Sequence, residues 1–168
     1  FYPGAARIDD LVEQIRRSGT AVRSISVDTS IYSGDTMAQG WFPADIAAGS
    51  ITPIEPIMLD GGRSNPLVDE SPRSTTPALD AGRALAAGLG VDPAAVTTGK
   101  AAEGADQIAS VQSAPLRDRL QQMIYRSDNV LAEAVGRELS LEMNTAASFS
   151  GAVASIGQTL FSAGFDMA

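Results

Sequence analysis

Ser127-Asp128-Asn129 stands between two amphipathic stretches of a 168-residue chain that has neither histidine nor cysteine. A Ser-x-Asn tripeptide at a helix start offers a hydroxyl and a carboxamide to one side of a pocket. Together they form one of three pieces used by enzymes that acylate a serine with lysine as the proton carrier. Ser, Asp and Asn are also the preferred helix N-caps, so a plain cap between two helices is the structural alternative.

The other two pieces, Ser-x-x-Lys and Lys-Thr-Gly, are absent. Lys100 is the only lysine; Thr97 stands three residues before it, and Thr98-Gly99-Lys100 reverses the order that the third piece needs. Lys100 therefore reads as a solvated loop residue. A serine hydroxyl needs a base before it can attack a carbonyl, so the chain by itself is expected to be catalytically inert. Asp60-Gly61-Gly62 lacks the following helix and the basic residue of a phosphate-binding turn, and reads as a tight turn. Asp9 and Asp10 suit the first turn of a helix better than acid–base work. Asp28 and Asp35 are a second carboxylate pair of the same weak kind. Trp41-Phe42 reads as a core anchor.

Absence narrows the chemistry further. Without His there is no Ser-His-Asp triad and no zinc site of the usual kinds; without Cys there is no thiol nucleophile or disulfide. No metal or organic cofactor is expected. Twelve basic residues face twenty acidic ones, a net charge of −8, with no basic cluster, which argues against nucleic acid as a partner. No apolar run is long enough to span a bilayer. The start at Phe1-Tyr2-Pro3 carries no legible leader.

The positioning elements follow from periodicity. Residues 5–17 predict a helix with Ile8, Leu11, Val12 and Ile15 on one face, stopped at Ser18-Gly19. Strands are expected over 23–27 and 55–59, with short β candidates at 95–98 and 107–112. Residues 28–56 are turn-rich around Trp41, and 61–76 is the best candidate for an exposed loop. Pro77 opens a helix over 77–89 that ends at Gly88 and Gly90. Pro115 opens another, with Leu116, Leu120, Met123 and Ile124 on one face. After the tripeptide, Leu131, Ala134, Val135 and Leu139 share a helix face, and Glu133 is set for a surface ion pair with Arg137. Residues 148–161 form a last helix, smooth along Gly151, Ala154, Ser155 and Gly157. The class is α/β, with a shift from mixed α/β to helical near 104–107.

The run from Gln107 through Pro115 to Met123-Ile124-Tyr125-Arg126-Ser127-Asp128-Asn129-Val130-Leu131-Ala132-Glu133 closely resembles the D-alanyl-D-alanine carboxypeptidase/endopeptidase family of penicillin-binding proteins, the low-molecular-mass class C, S13-like group. The resemblance is strong over 107–140 and weaker upstream. It implies an inserted mixed α/β accessory domain at 1–105, followed by an incomplete helical segment of a β-lactamase/transpeptidase-like domain at 106–168. Ser127 would relay a proton between the catalytic lysine and the leaving amine. Asn129 would bond the substrate amide and help fix that lysine, while Asp128 stabilises the turn. The nucleophilic serine and the Lys-Thr-Gly motif are expected before Phe1 and after Ala168. The implied activity is serine-type D-Ala-D-Ala carboxypeptidase action on peptidoglycan stem peptides, with β-lactams acylating the same serine. An exported, periplasmic or envelope location follows, with self-association of the truncated chain as a further expectation. The competing readings are a non-catalytic envelope binding or scaffolding module, in which Ser-Asp-Asn is only a cap, and a β-lactamase-like hydrolase.

Overall fold

The computed structural model describes residues 4–166, and Phe1-Tyr2-Pro3 lies outside them. Among the described residues, six α-helices and one pair of short strands follow in the order α1 (Ile8–Ser18), β1 (Ser26–Val27), α2 (Ala44–Ala47), α3 (Pro77–Leu89), β2 (Thr97–Thr98), α4 (Leu116–Arg126), α5 (Asn129–Glu142) and α6 (Phe149–Ser162). β1 and β2 run parallel, Ser26 opposite Thr97 and Val27 opposite Thr98. The chain is α/β in class, but mostly helical.

α1 forms because Val12 and Ile15 recur on one face and are buried. Asp9 and Asp10 in its first turn and Arg16 and Arg17 in its last complement the helix dipole. α3 has Pro77 at its start and left-handed Gly90 at its end. It covers the strand pair: Val27, Ala78, Ala86 and Val96 form one buried cluster, flanked by Ile25, Leu79 and Val91. α1 lies against α3, where the Arg16 guanidinium donates to the Gly88 carbonyl at 2.6 Å. This close approach requires Gly88, since a Cβ there would stand 2.5 Å from a Val12 methyl.

The second packing unit is the α5–α6 hairpin. Ser148 caps α6 by accepting the Gly151 N–H. Buried Gly136 of α5 faces Ala152 of α6, and the Ser155 hydroxyl bonds both Thr145 and Ser140. The contact face of α6 runs through Ala152 and Ser155, with Gly151 close against the Ala146 carbonyl, so two of the four residues of the expected smooth side, Gly151 and Ser155, pack and the other two do not. Ala154 is exposed, and nothing lies within 4 Å of where a Gly157 Cβ would be.

Other expectations are corrected. Residues 55–59 and 107–112 form no strand, and β1 is only two residues long. Glu55 instead turns its carboxylate onto the Ala78 N–H at 2.8 Å. Ser110 exchanges two hydrogen bonds with the Gln14 side chain. Apolar runs without a neighbouring strand have no ladder to join. The 61–76 stretch is an exposed loop over 64–70, as expected, but it is anchored by Gly62, Arg63, Ser71 and Arg73, which are buried. The Glu133–Arg137 pair forms at 2.9 Å, but Arg137 is only 1 % exposed. Its guanidinium lies over the Tyr32 ring and donates to the Asp35 carbonyl, so this pair ties residues 32–35 to α5. Trp41 is half-buried and Phe42 exposed, a weaker anchor than its size suggests. α4 buries none of its residues fully; Leu116 and Ile124 of its apolar face are exposed.

Candidate functional site

α4 ends and α5 begins within three residues. The Asp128 N–H reaches back to the Met123 carbonyl at 3.1 Å, and Ser127 takes the left-handed conformation at φ 52°, ψ 43°. This is a Schellman-type stop, in which glycine is the usual occupant. A serine there costs about 1 kcal/mol of backbone strain. Its side chain is exposed and makes no hydrogen bond among the described residues. Asn129, the first residue of α5, is likewise exposed, with its carboxamide unbonded among the described residues.

Asp128 between them is the opposite case. Its side chain is 3 % exposed and its Oδ1 accepts the Val130 and Leu131 N–H groups at 3.0 and 3.2 Å. It is the N-cap of α5. The same carboxylate receives Arg63 Nη2 at 2.9 Å and Arg73 Nη2 at 3.4 Å. Burial works to raise its pKa, but the Arg63 hydrogen bond and the charges of Arg73 and Arg63 outweigh it and hold the carboxyl below its ordinary value. Burial pulls the Arg73 pKa down against the attraction of Asp128.

Both arginines are held by backbone carbonyls as well. Arg73 donates Nε to Gly49 at 2.6 Å and Nη1 to Gly61 at 2.7 Å. Arg63 donates Nε to Asp69 at 3.1 Å and Nη1 to Asp60 at 3.0 Å. Asp60-Gly61-Gly62 is a tight turn, as expected, and its carbonyls face cations instead of its N–H groups facing an anion. Outside the buried group, Arg126 Nη1 bridges both Asp69 carboxylate oxygens at 2.8 and 2.6 Å. The 60–74 segment thus grips the tripeptide from two sides.

The turn separates two depressions. One, of about 870 Å³, is lined by Asp60, Arg63, Asp128, Val130 and, across it, Arg119 and Glu138, which pair at 2.7 Å. The other is a shallow groove of about 280 Å³ lined by Asn129, Trp41, Gly136, Phe149 and Ile156. Ser127 lines neither, so Ser127 and Asn129 share a turn but no described cavity. A free hydroxyl and a free carboxamide on one turn can accept and donate hydrogen bonds to a bound group. Among the described residues no basic side chain is hydrogen-bonded to either of them. Lys100 is exposed and lies beside Asp28, whose carboxylate accepts the Ala101 and Ser30 N–H groups and has its pKa lowered to about 2.

The sequence matches the model of the D-Ala-D-Ala carboxypeptidase 3 (S13) family over residues 4–72 and 67–168. The chain belongs to that family. It is 57 % identical over 168 residues to the carboxypeptidase Rv3627c of Mycobacterium tuberculosis, covering all of this chain and 36 % of that relative. It is 53 % identical over 167 residues to the carboxypeptidase DacB of Mycolicibacterium smegmatis, covering 99 % of this chain and again 36 % of the relative. The chain thus spans about a third of the length of the curated relatives it matches. No solved structure matches it.

In this S13 chain, Arg63 and Arg73 are the residues that sequence reading misses. They sit among turn formers, 65 and 55 residues from their carboxylate partner. The one sign was two arginines in a stretch otherwise poor in structure, and it does not name a partner. Asp128 was expected to stabilise the turn, and its cap does so. Its two buried cations were not expected.

Proposed function

We propose that this chain is part of a serine D-Ala-D-Ala carboxypeptidase/endopeptidase, in which Ser127 and Asn129 form the second of three active-site motifs. The observation that carries the reading is the Ser127–Asn129 turn itself. In an S13 family member, it presents an unbonded hydroxyl and an unbonded carboxamide on either side of a buried, fully bonded aspartate. Residues 1–105 are the accessory domain, and 106–168 are the helical piece of the transpeptidase-like domain.

In the whole enzyme a serine from another segment attacks the carbonyl of the penultimate D-alanine of a peptidoglycan stem peptide. An ester bond to that serine forms as the peptide C–N bond breaks. The Ser127 hydroxyl passes a proton to the departing amine, and D-alanine leaves. The Asn129 carboxamide bonds the substrate amide and holds the catalytic lysine in place. Water then hydrolyses the ester. β-Lactams acylate the same serine because their strained amide imitates the terminal dipeptide, and the protein works outside the cytoplasmic membrane. The isolated chain, with no base beside Ser127, does not turn over, and its exposed helix faces favour self-association.

The test is mass spectrometry of the full-length protein after exposure to benzylpenicillin, with this 168-residue chain alongside. The expected result is one covalent adduct on the full-length protein and none on the chain. An unmodified, folded full-length protein would leave the tripeptide as a helix cap in an envelope binding module.

A further inference from the structure

We infer that Arg63 and Arg73 are positioning residues, which set where the Ser127 hydroxyl and Asn129 carboxamide point by fixing Asp128 between them. This rests on the reading of Ser127 and Asn129 as reactive groups.

The case begins with what a cap needs. An aspartate N-cap needs one oxygen for the α5 N–H groups, here Oδ1, and at a protein surface water serves the other oxygen without any cation. Here the cap is buried and carries two guanidiniums as well, with side chains that are each 2 % exposed. Removing two cations and an anion from water carries a desolvation cost that their attraction only partly offsets, so such a cluster is a poor way to gain stability alone. It is an effective way to fix a position. Each guanidinium is planar and held by two backbone carbonyls: Gly49 and Gly61 for Arg73, and Asp69 and Asp60 for Arg63. Their remaining nitrogens, both Nη2, meet the carboxylate from two directions. The Asp128 carboxylate is thereby triangulated from four points of the backbone.

The supporting segment is itself anchored. Arg63 and Arg73 pair as an antiparallel bridge, and Ser64 and Ser71 join their hydroxyls at 3.0 Å. The Arg73 N–H donates to the Ile46 carbonyl at 2.9 Å. Left-handed Gly49 lets the Glu70–Ser71 backbone come so near that a Cβ would stand 2.5 Å from it. The motif turn, by contrast, has little of its own to hold it. α4 is poorly buried, Ser127 is strained at positive φ, and neither Ser127 nor Asn129 has a side-chain partner among the described residues. The one rigid point of the turn is Asp128, one residue from each reactive group. A small displacement of a positioned group costs a reaction much more than it costs stability.

The experiment uses the full-length protein with Arg63→Met, Arg63→Lys, Ser127→Ala and, as a control, Arg83→Met, which removes an exposed ion pair with Asp80 on α3. Two quantities are read for each. One is the benzylpenicillin acylation rate across a concentration series, which separates the limiting rate from the half-saturating concentration. The other is hydrogen exchange of a peptide covering 127–131.

Arg63→Met is expected to lower the limiting acylation rate about ten- to a hundredfold with little change in half-saturation. Exchange at 127–131 should quicken by about tenfold or more while α1 and α3 keep their protection. Arg63→Lys retains the charge but not the planar fork, and should fall between Arg63→Met and wild type in both readouts. If Arg63→Met does not fold, the Lys variant carries the test alone. A variant that loses thermal stability yet acylates at the wild-type rate, with wild-type exchange at 127–131, overturns the inference. Wild-type acylation by Ser127→Ala would overturn the reading of Ser127 instead, and the exchange result would still decide what the arginines position.

Discussion

At the scale of single residues, Asp128 is the group whose removal is most informative. Asn at this position keeps an oxygen for the α5 N–H groups but places an uncharged amide between two buried guanidiniums. Breaking a buried ion pair at one partner costs about 3–5 kcal/mol, so Asp128→Asn is expected to lose about that much at pH 7. The loss should depend on pH in one direction. The Asp128 pKa is depressed on folding, so its contribution is present above the unfolded carboxyl value of about 4 and vanishes as pH falls through the folded value. Urea unfolding of wild type and Asp128→Asn between pH 7 and pH 3 should therefore give a gap that narrows below about pH 4. A gap constant to pH 3 would mean that the ion pairs do not govern Asp128. The tripeptide itself was legible because a turn between amphipathic helices is a local pattern. Its arginine partners were not, because a cation 55 or 65 residues away leaves no trace in local sequence.

Among the elements, legibility followed the same division between local and distant causes. α3 was read at its true limits, since Pro77 and Gly90 mark its ends by their own backbone preferences. The strands were overread, because β structure needs a partner and alternation in one segment does not supply one. The glycines of two helices show the distinction in testable form. Gly82 of α3 faces the strand pair, where an added Cβ would stand 2.6 Å from a Val27 methyl and 2.9 Å from a Val96 methyl. Gly157 of α6 has nothing within 4 Å of that position. From helix propensity alone both would gain about 1 kcal/mol on mutation to Ala. Packing reverses the sign at the first, where overpacking costs about 1–3 kcal/mol. Gly157→Ala should thus raise the urea midpoint and Gly82→Ala lower it. A gain at Gly82 would mean that α3 shifts freely over β1 and β2.

On the scale of the whole molecule, the question is what the unburied apolar side chains do. Ile124 and Tyr125 of α4 are 75 % and 78 % exposed, Phe161 of α6 is 72 % exposed, and Leu116 and Val153 add to the same two helices. Scattered exposed apolar residues are ordinary, but several on two amphipathic helices are the usual mark of a surface that meets another. The net charge of −8 opposes contact between copies. Salt screens such repulsion beyond a Debye length of about 8 Å at physiological ionic strength, and leaves apolar attraction intact. The isolated chain is therefore expected to sediment with an average mass that rises with concentration, and to do so more steeply at 0.5 M than at 0.05 M salt. Glu at Ile124 and Phe161 together should return it to the monomer mass, because each carboxylate would have to be desolvated in the contact. Association that weakens with salt would point instead to ion pairs such as Arg126–Asp69 exchanging between copies. A chain monomeric under every condition would place these side chains among the ordinary exposed apolar residues of a folded surface.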